Sequence, residues 1–298
     1  MNENKRVLGI DIGGTSVKMG ILDPGDGLID VKQIDMVVNN PEIMADRIAQ
    51  LAQTYGPDIV GVGSAGAVNH KTGHVNADNL IWRDVPLRAM LEDRLHKPVW
   101  VDNDAKAALM AEWHSGVCRG VRCAVCVTIG TGVGGGLLID GKPWRGDDNT
   151  AFELGQIVTH GDAYANTSAK EGRYEYYASG MGLSRLTGGR PAREVVEGVM
   201  AGDLRAMAIF DEMIHELALG LCTVIMLFKP EVIALGGGIS AAGGYLLDGV
   251  RKKVSGFQGD HIDSFDVERI KLAVHGNNAG MIGAAVLAML YILDTDKY

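Results

Sequence analysis

The feature that most restricts this chain is a pattern that occurs twice: a short apolar run, a glycine turn, and a second apolar run. Near the start, Val7, Leu8, Ile10 and Ile12 lead into Gly13-Gly14-Thr15, and the chain resumes with Val17, Met19, Ile21 and Leu22. At 124–129 an apolar run meets Gly130-Thr131-Gly132 and more glycines up to Gly136, then resumes as Leu137-Leu138-Ile139 before Asp140-Gly141. Short apolar runs bounded by glycine read as strands, and Asp-Gly reads as a tight hairpin turn. The repetition predicts two halves of related plan.

Further strands are expected at 59–66, 98–102, 232–235 and near 270–274. Between them, Asn40-Pro41 supplies an N-cap and a proline at the first helical position, ahead of Met44, Ile48, Leu51, Ala52 and Tyr55 at helical spacing. A long helix is expected at 204–228 and a last one from about Ala279. Strands alternating with helices predict an α/β fold with covered sheets. At 298 residues the chain exceeds the roughly 250 at which single cores stop growing, so two lobes are expected.

Net charge is −9 and the basic residues are scattered, which excludes the electrostatic footprint of a nucleic-acid binder. No apolar run of about 18 residues and no signal-like start are present, so neither export nor membrane spanning is expected. Three of the four cysteines, Cys118, Cys123, Cys126 and Cys222, lie in apolar surroundings, which suits a reducing, cytoplasmic setting. Cys123 and Cys126 form a C-x-x-C on an expected strand, where alternation turns them to opposite faces and argues against a shared metal.

The glycines that follow strands carry the chemical signal. A turn without Cβ atoms at Gly13, Gly14 and Thr15 lets backbone N–H groups converge on phosphate oxygens. Asp11 beside a phosphate requires an intervening cation, which makes it a Mg²⁺ group, directly or through water, and Lys18 adds positive charge. Gly130, Thr131 and Gly132 open a second such turn. Its spacing satisfies G-x-G-x-x-G, yet a strand rather than a helix follows, so a nicotinamide dinucleotide site is rejected. Gly236, Gly237 and Gly238 form a third cluster, suited to a nucleoside lying close to the backbone. The run Asp102-Asn103-Asp104 ends a strand and enters a helix, where one residue serves as N-cap and one carboxylate is a candidate base.

Asp11-Ile-Gly-Gly-Thr15, Val101-Asp-Asn-Asp104-Ala, Ile129-Gly-Thr-Gly-Val-Gly, Glu153-Leu-Gly155 and Asn278-Ala-Gly-Met-Ile-Gly283 together resemble the motifs of the ROK sugar kinases. The resemblance implies a two-lobe actin-like, ribonuclease H-like ATPase fold with a central interlobe cleft. It divides the chain into a small N-terminal lobe at 1–112, completed by a C-terminal helix at 281–298, and a large C-terminal lobe at 113–280. It implies ATP and Mg²⁺ as cofactors, a small sugar as substrate, and a homodimer or larger homo-oligomer. By the same resemblance Asp104 accepts the proton of a sugar hydroxyl, with the 6-OH expected, while Gly66, Asn79, Asn103, Glu153 and Glu175 bind the sugar.

Two departures from the family pattern stand out. The cysteine-rich zinc segment that would precede Glu175 is replaced by residues 169–174 without cysteine, so no structural zinc is expected. Gln156 occupies the place of the family's histidine in Glu-Ile-Gly-His, and an amide that donates and accepts without charge alters which hydroxyls the site selects. Glucose, fructose, N-acetylmannosamine and a β-glucoside remain open as substrates. A sugar-binding regulatory protein without kinase activity is the alternative.

Overall fold

A computed structural model describes residues 5–23, 27–257 and 265–293. The chain forms two compact units, one of Met1–Arg119, Pro143–Ala151 and Asn277–Tyr298, the other of Gly120–Lys142 and Phe152–Gly276.

In chain order, the first unit begins with β1 (Val7–Ile12), β2 (Ser16–Leu22), β3 (Leu28–Asp35), α1 (Pro41–Gln53) and β4 (Ile59–Ser64). It continues with β5 (Ala67–Asn69), β6 (His74–Ala77), β7 (Trp82–Val85), α2 (Leu87–Leu95), β8 (Val99–Asn103) and α3 (Asp104–Ser115). The second unit carries β9 (Ala124–Ile129) and β10 (Val133–Ile139), and β11 (Lys142–Pro143) marks a crossing between the units. Then follow α4 (Gly161–Asn166), α5 (Gly180–Leu186), α6 (Ala192–Met200), α7 (Leu204–Phe228), β12 (Val232–Gly236), α8 (Gly244–Gly256) and β13 (Ile270–Leu272). α9 (Ala279–Ala288) returns to the first unit and loosens into a π-helical turn at Met289–Leu293. The last helix thus starts at Ala279 as expected, and residues 294–298 of the stretch expected to complete the first lobe lie outside the described residues.

The first unit's main sheet has the order β3-β2-β1-β4-β8, with β1 antiparallel to β2 and parallel to β4, and β4 parallel to β8. The second unit's sheet has the order β11-β10-β9-β12-β13, with β9 antiparallel to β10 and parallel to β12. β12 is in turn parallel to β13. A hairpin followed by two parallel strands therefore occurs twice, as the repeated glycine-turn pattern predicts.

Local chemistry explains the helices. Asn40 Oδ1 accepts from Ile43 N at 3.0 Å with Pro41 at the first turn, and Met44, Ala45, Ile48, Ala49 and Ala52 form the buried stripe of α1. Asp203 caps α7 by accepting from Arg205 N at 2.8 Å. The inner face of α7 presents Phe210, Met213, Ile214, Leu217, Leu221 and Val224 to the second core. Asp140 and Gly141 both take positive φ, 53° and 76°, as the tight turn after β10 requires.

Glycine lets α9 lie directly on the first sheet. A Cβ on Gly9 would stand 1.9 Å from Met281 O, one on Gly61 1.9 Å from Ala284 O, and one on Gly283 1.6 Å from Ala107 O. Strands β1 and β4 and helices α3 and α9 thus meet backbone to backbone, which fixes where α3 starts. The stretch Gly276–Leu293 is long and apolar enough to cross a bilayer, which the sequence reading did not register. Residues 281–288 of it are buried in the first unit, so it is a core helix.

Candidate active site

In the first unit, three parallel strands end at one edge of the sheet. Ile12 is in register with Ser64, and Ser64 with Asn103, so Asp11, Gly66 and the Asn103-Asp104 pair gather at the carboxyl ends of neighbouring strands. Ligands of open α/β sheets bind at such edges.

Asn103 is the N-cap of α3. Its Oδ1 accepts from Ala105 N at 3.0 Å and Lys106 N at 3.2 Å, and its Nδ2 donates to Gly66 O at 3.1 Å. One amide hydrogen is left for a ligand. Gly66 has φ 93°, and a Cβ there would meet Asn76 O at 2.3 Å, so only glycine brings this carbonyl to Asn103. Asp104 opens the helix with Oδ1 accepting from Ala105 N at 2.8 Å. Exposed Asn79 stands next to the first glycine turn, since a Cβ on Gly14 would lie 3.2 Å from its Nδ2.

Asp11 packs against Gly280, where a Cβ would stand 2.6 Å from the carboxyl carbon. Burial pushes this carboxyl above its ordinary range, and Lys18, its cross-strand neighbour, pulls it partly back. No described residue donates a hydrogen bond to the carboxylate. A desolvated carboxylate of this kind fits a cation. In the adjacent turn, Gly13 N is spent on Ser16 O at 3.0 Å, whereas no described residue accepts from Gly14 N or Thr15 N.

The second unit supplies another set. Gly130 N donates to Gly132 O at 3.0 Å, and the Gly130 and Thr131 carbonyls accept from Gly180 N and Met181 N at the start of α5. Among the described residues nothing accepts from Thr131 N or Gly132 N. Glu175 lies alongside this turn, its Oε2 accepting from Val133 N at 3.4 Å and its Oε1 from Gln156 Nε2 at 2.7 Å. Gly132 leaves room for that carboxylate, because a Cβ would stand 2.4 Å from Oε2. Neighbouring Tyr174 is fully buried and donates its hydroxyl to Leu217 O at 2.6 Å, which pins the segment to α7. Exposed Glu153 starts the short turn in which Gln156 N donates to Glu153 O at 3.0 Å. Glu153, Gln156 and Glu175 are therefore brought together.

The third cluster reads differently. Gly237 has φ 84° and its Cβ would collide with the Ile129 backbone at 2.5 Å, so contact between β12 and β9 accounts for it without a ligand. A Cβ on Gly236 would face Ala273 at 3.2 Å, while at Gly238 it would meet open space.

The sequence pattern of the ROK family matches residues 7–290. The chain belongs to the ROK family. It is 33% identical to a glucokinase of Streptomyces coelicolor over 94% of this chain and 96% of that protein. It is 30% identical to a beta-glucoside kinase of Listeria innocua, again over 94% of this chain and 96% of the relative. Its fold superposes with a TM-score of 0.83 on a ROK glucokinase from Streptomyces griseus crystallised with glucose and AMPPNP, at 30% identity and 95% and 99% coverage of this chain and that one. The architecture is thus the actin-like, ribonuclease H-like two-lobe class.

Seen as a ROK protein, the segment between Gln156 and Glu175 is closed by backbone pairing and aromatic stacking. Thr159 N and His160 N both donate to Gly172 O, Tyr174 N donates to Ile157 O at 2.8 Å, and Val158 bridges Arg173. His160 stacks on Tyr177 with ring centroids 3.7 Å apart, and Arg185 covers Tyr177 at 5.0 Å. Among the described residues no three His, Cys, Asp or Glu side chains form a metal cluster. None of the four cysteines is in a disulfide.

Sequence reasoning missed the polar network beneath Asn103 and Asp104. Fully buried Asp102 pairs with Arg145 at 2.7 Å, and Asn149 and Lys106 join them. A lysine inside the apolar run of α3 was the available signal, since lysine is rarely fully buried without a partner.

Proposed function

We propose that the chain is an ATP-dependent hexose kinase that phosphorylates the sugar 6-OH with Asp104 as general base. The observation that carries this reading is the β8–α3 junction, where Asn103 retains one amide hydrogen for a sugar hydroxyl beside the Asp104 carboxylate. Orphan N–H groups in both glycine turns fit phosphate oxygens, and the desolvated Asp11 carboxylate fits Mg²⁺, directly or through water.

Bound Mg·ATP supplies the phosphoryl group and neutralises its charge. The chain's own residues position and deprotonate. Gly14, Thr15, Thr131 and Gly132 donate backbone hydrogen bonds to phosphates, Lys18 adds positive charge, and the open space at Gly238 accommodates the nucleoside. Gly236 and Gly237 border that space by shaping the end of β12. Asn79, Asn103, Glu153 and Glu175 orient the sugar, with the backbone of Gly66 holding Asn103. Asp104 takes the hydroxyl proton as the oxygen attacks phosphorus, and because the transition state is loose, most of the acceleration comes from positioning.

Gln156 donates to Glu175, which leaves its own Oε1 as a neutral acceptor where a family histidine presents a ring. Substrates with a donating group at that position follow, among them glucose, fructose, N-acetylmannosamine and β-glucosides. Free thiols suit a cytoplasmic setting, and the family resemblance implies a homodimer or larger assembly, which light scattering measures directly.

ADP release with Mg·ATP against a panel of these sugars tests the function. Sugar-dependent ADP formation that disappears in Asp104→Asn supports it. Sugar binding without turnover on any panel member would instead favour a regulatory sugar-binding protein.

A further inference from the structure

The segment Pro143–Ala151 stands in the first unit although the chain on both sides of it belongs to the second. Polar side chains hold it there. Arg145 Nη1 lies 2.7 Å from Asp102 Oδ2 and donates to Asn149 Oδ1 at 2.7 Å. Asn149 Nδ2 donates to Asp102 Oδ1 at 3.1 Å and to Val68 O at 2.9 Å. Lys106 Nζ donates to the main-chain oxygen of Asn149 at 2.9 Å. Asp102, Lys106 and Asn149 are all at most 1% exposed.

Asp102 and Lys106 flank Asn103-Asp104 in the chain, so both sides of the turn that carries the base are tied to one residue, Asn149. Asp102 Oδ1 also accepts from Asn103 N at 2.9 Å, which carries the tie into the turn itself. The arrangement is costly. Buried ion pairs seldom outperform apolar packing, and a lysine in the first turn of α3 sits at the positive end of the helix dipole. Two buried charges, Asp102 and Lys106, with the partly buried Arg145 beside them, add little to stability but hold a carboxylate in a fixed geometry.

We propose that Asn149 is a positioning residue for phosphoryl transfer: through Asp102 and Lys106 it fixes the direction of the Asp104 carboxylate. The inference rests on Asp104 being the base. Misplacing a reacting group by about 1 Å costs on the order of 10²-fold in rate.

Asn149→Gly is the discriminating variant. Asn149 has φ 71°, which glycine adopts freely, and glycine keeps the carbonyl that Lys106 uses, so only the side-chain ties are lost. At a temperature where the variant is fully folded, kcat is expected to fall roughly 10- to 100-fold. Dissociation constants for the sugar and for a non-hydrolysable ATP analogue, measured by calorimetry, should stay close to wild type. The acid limb of the kcat–pH profile, which reports the base, should move. A folded Asn149→Gly enzyme with wild-type kcat and an unmoved acid limb overturns the proposal, whatever its melting temperature. Should that variant not fold, Arg145→Lys carries the same test, since it keeps the charge against Asp102 but cannot also hold Asn149. Asp104→Asn in the same assays separates the two claims: if it retains turnover the base assignment fails, whereas an inactive Asp104→Asn beside a fully active Asn149→Gly overturns the positioning role alone.

Discussion

Asp11 and Lys18 face each other directly across the β1–β2 hairpin, and the lysine does not fully compensate the carboxylate for its burial. The folded-state pKa is raised above the ordinary 3.8, so the ligand-free fold binds this proton more tightly than the unfolded chain does. The penalty is absent well below 3.8, builds as pH rises from 3.8 through the raised pKa, and is complete above it. Asp11→Asn is therefore expected to raise the ligand-free melting temperature at pH 7 by about 2 °C or more, the scale of 1 kcal/mol in a chain this size. The gain should vanish toward pH 3.5. The same variant should need at least about tenfold more Mg²⁺ for half-maximal turnover, read by titrating the metal.

Replacing the base itself is the simplest measurement. Asp104→Asn should lower kcat by ~10²–10⁴-fold, the usual scale for losing a positioned general base, while calorimetry shows sugar binding within a few-fold of wild type.

Gln156→Glu would set a second carboxylate where Gln156 Nε2 now stands, 2.7 Å from Glu175 Oε1. Two carboxylates that close repel each other when both are ionised, which raises the pKa of one. The sugar KM is expected to rise about tenfold or more at pH 7.5 and to recover partly toward pH 5.5, as one carboxyl takes up a proton and donates to the other. A KM that is flat with pH would contradict the pairing.

Two glycine substitutions should separate site from scaffold. In Gly132→Ala the methyl group meets only the mobile end of Glu175, so melting should change little while the sugar KM rises. In Gly283→Ala it meets the Ala107 carbonyl at 1.6 Å, backbone against backbone. The loss there should reach at least the ~1–3 kcal/mol of an overpacked core, seen as a lower melting temperature or insoluble protein.

His70 gives a pH signature in the opposite sense to Asp11. Burial, with the nearby positive charge of Arg145, pushes its pKa down from 6.5 to about 4, and its buried Nδ1 has no hydrogen-bond partner among the described residues. The unfolded chain protonates first on acidification, so the stability tied to neutral His70 is whole above pH 6.5 and drains away as pH falls toward 4. Melting curves from pH 7 to 4.5 should fall less steeply for His70→Gln than for wild type.

Much of the fold was legible because its signals are local. Asn40-Pro41, Asp203 before α7 and Asp140-Gly141 each fix a boundary by chemistry within four residues. The glycine turns and the Asp102-Asn103-Asp104 run marked a candidate site for the same reason. What stayed hidden depends on long-range partners. Asn103 offered two candidate roles in sequence, cap and ligand contact; the cap is seen, while its bond to Gly66, 37 residues away, had no sequence signal. Asn149 gives no periodic signal, and its partners Val68 and Asp102 lie 81 and 47 residues before it. Gly9 and Gly61 look like weak points in strands until α9, more than 200 residues later, is laid against them.

That last contact bears on how the protein is made. The sheet formed by β1 and β4 is covered by α9, which is synthesised more than 200 residues after β4. Those strands therefore hold an uncovered apolar face while more than 200 further residues are made. The second unit, apart from a single short interruption, is contiguous and can collapse earlier. Nascent chains stalled before Ala279 should consequently protect β9 to β13 from protease while β1 to β8 remain open to cleavage and to chaperones.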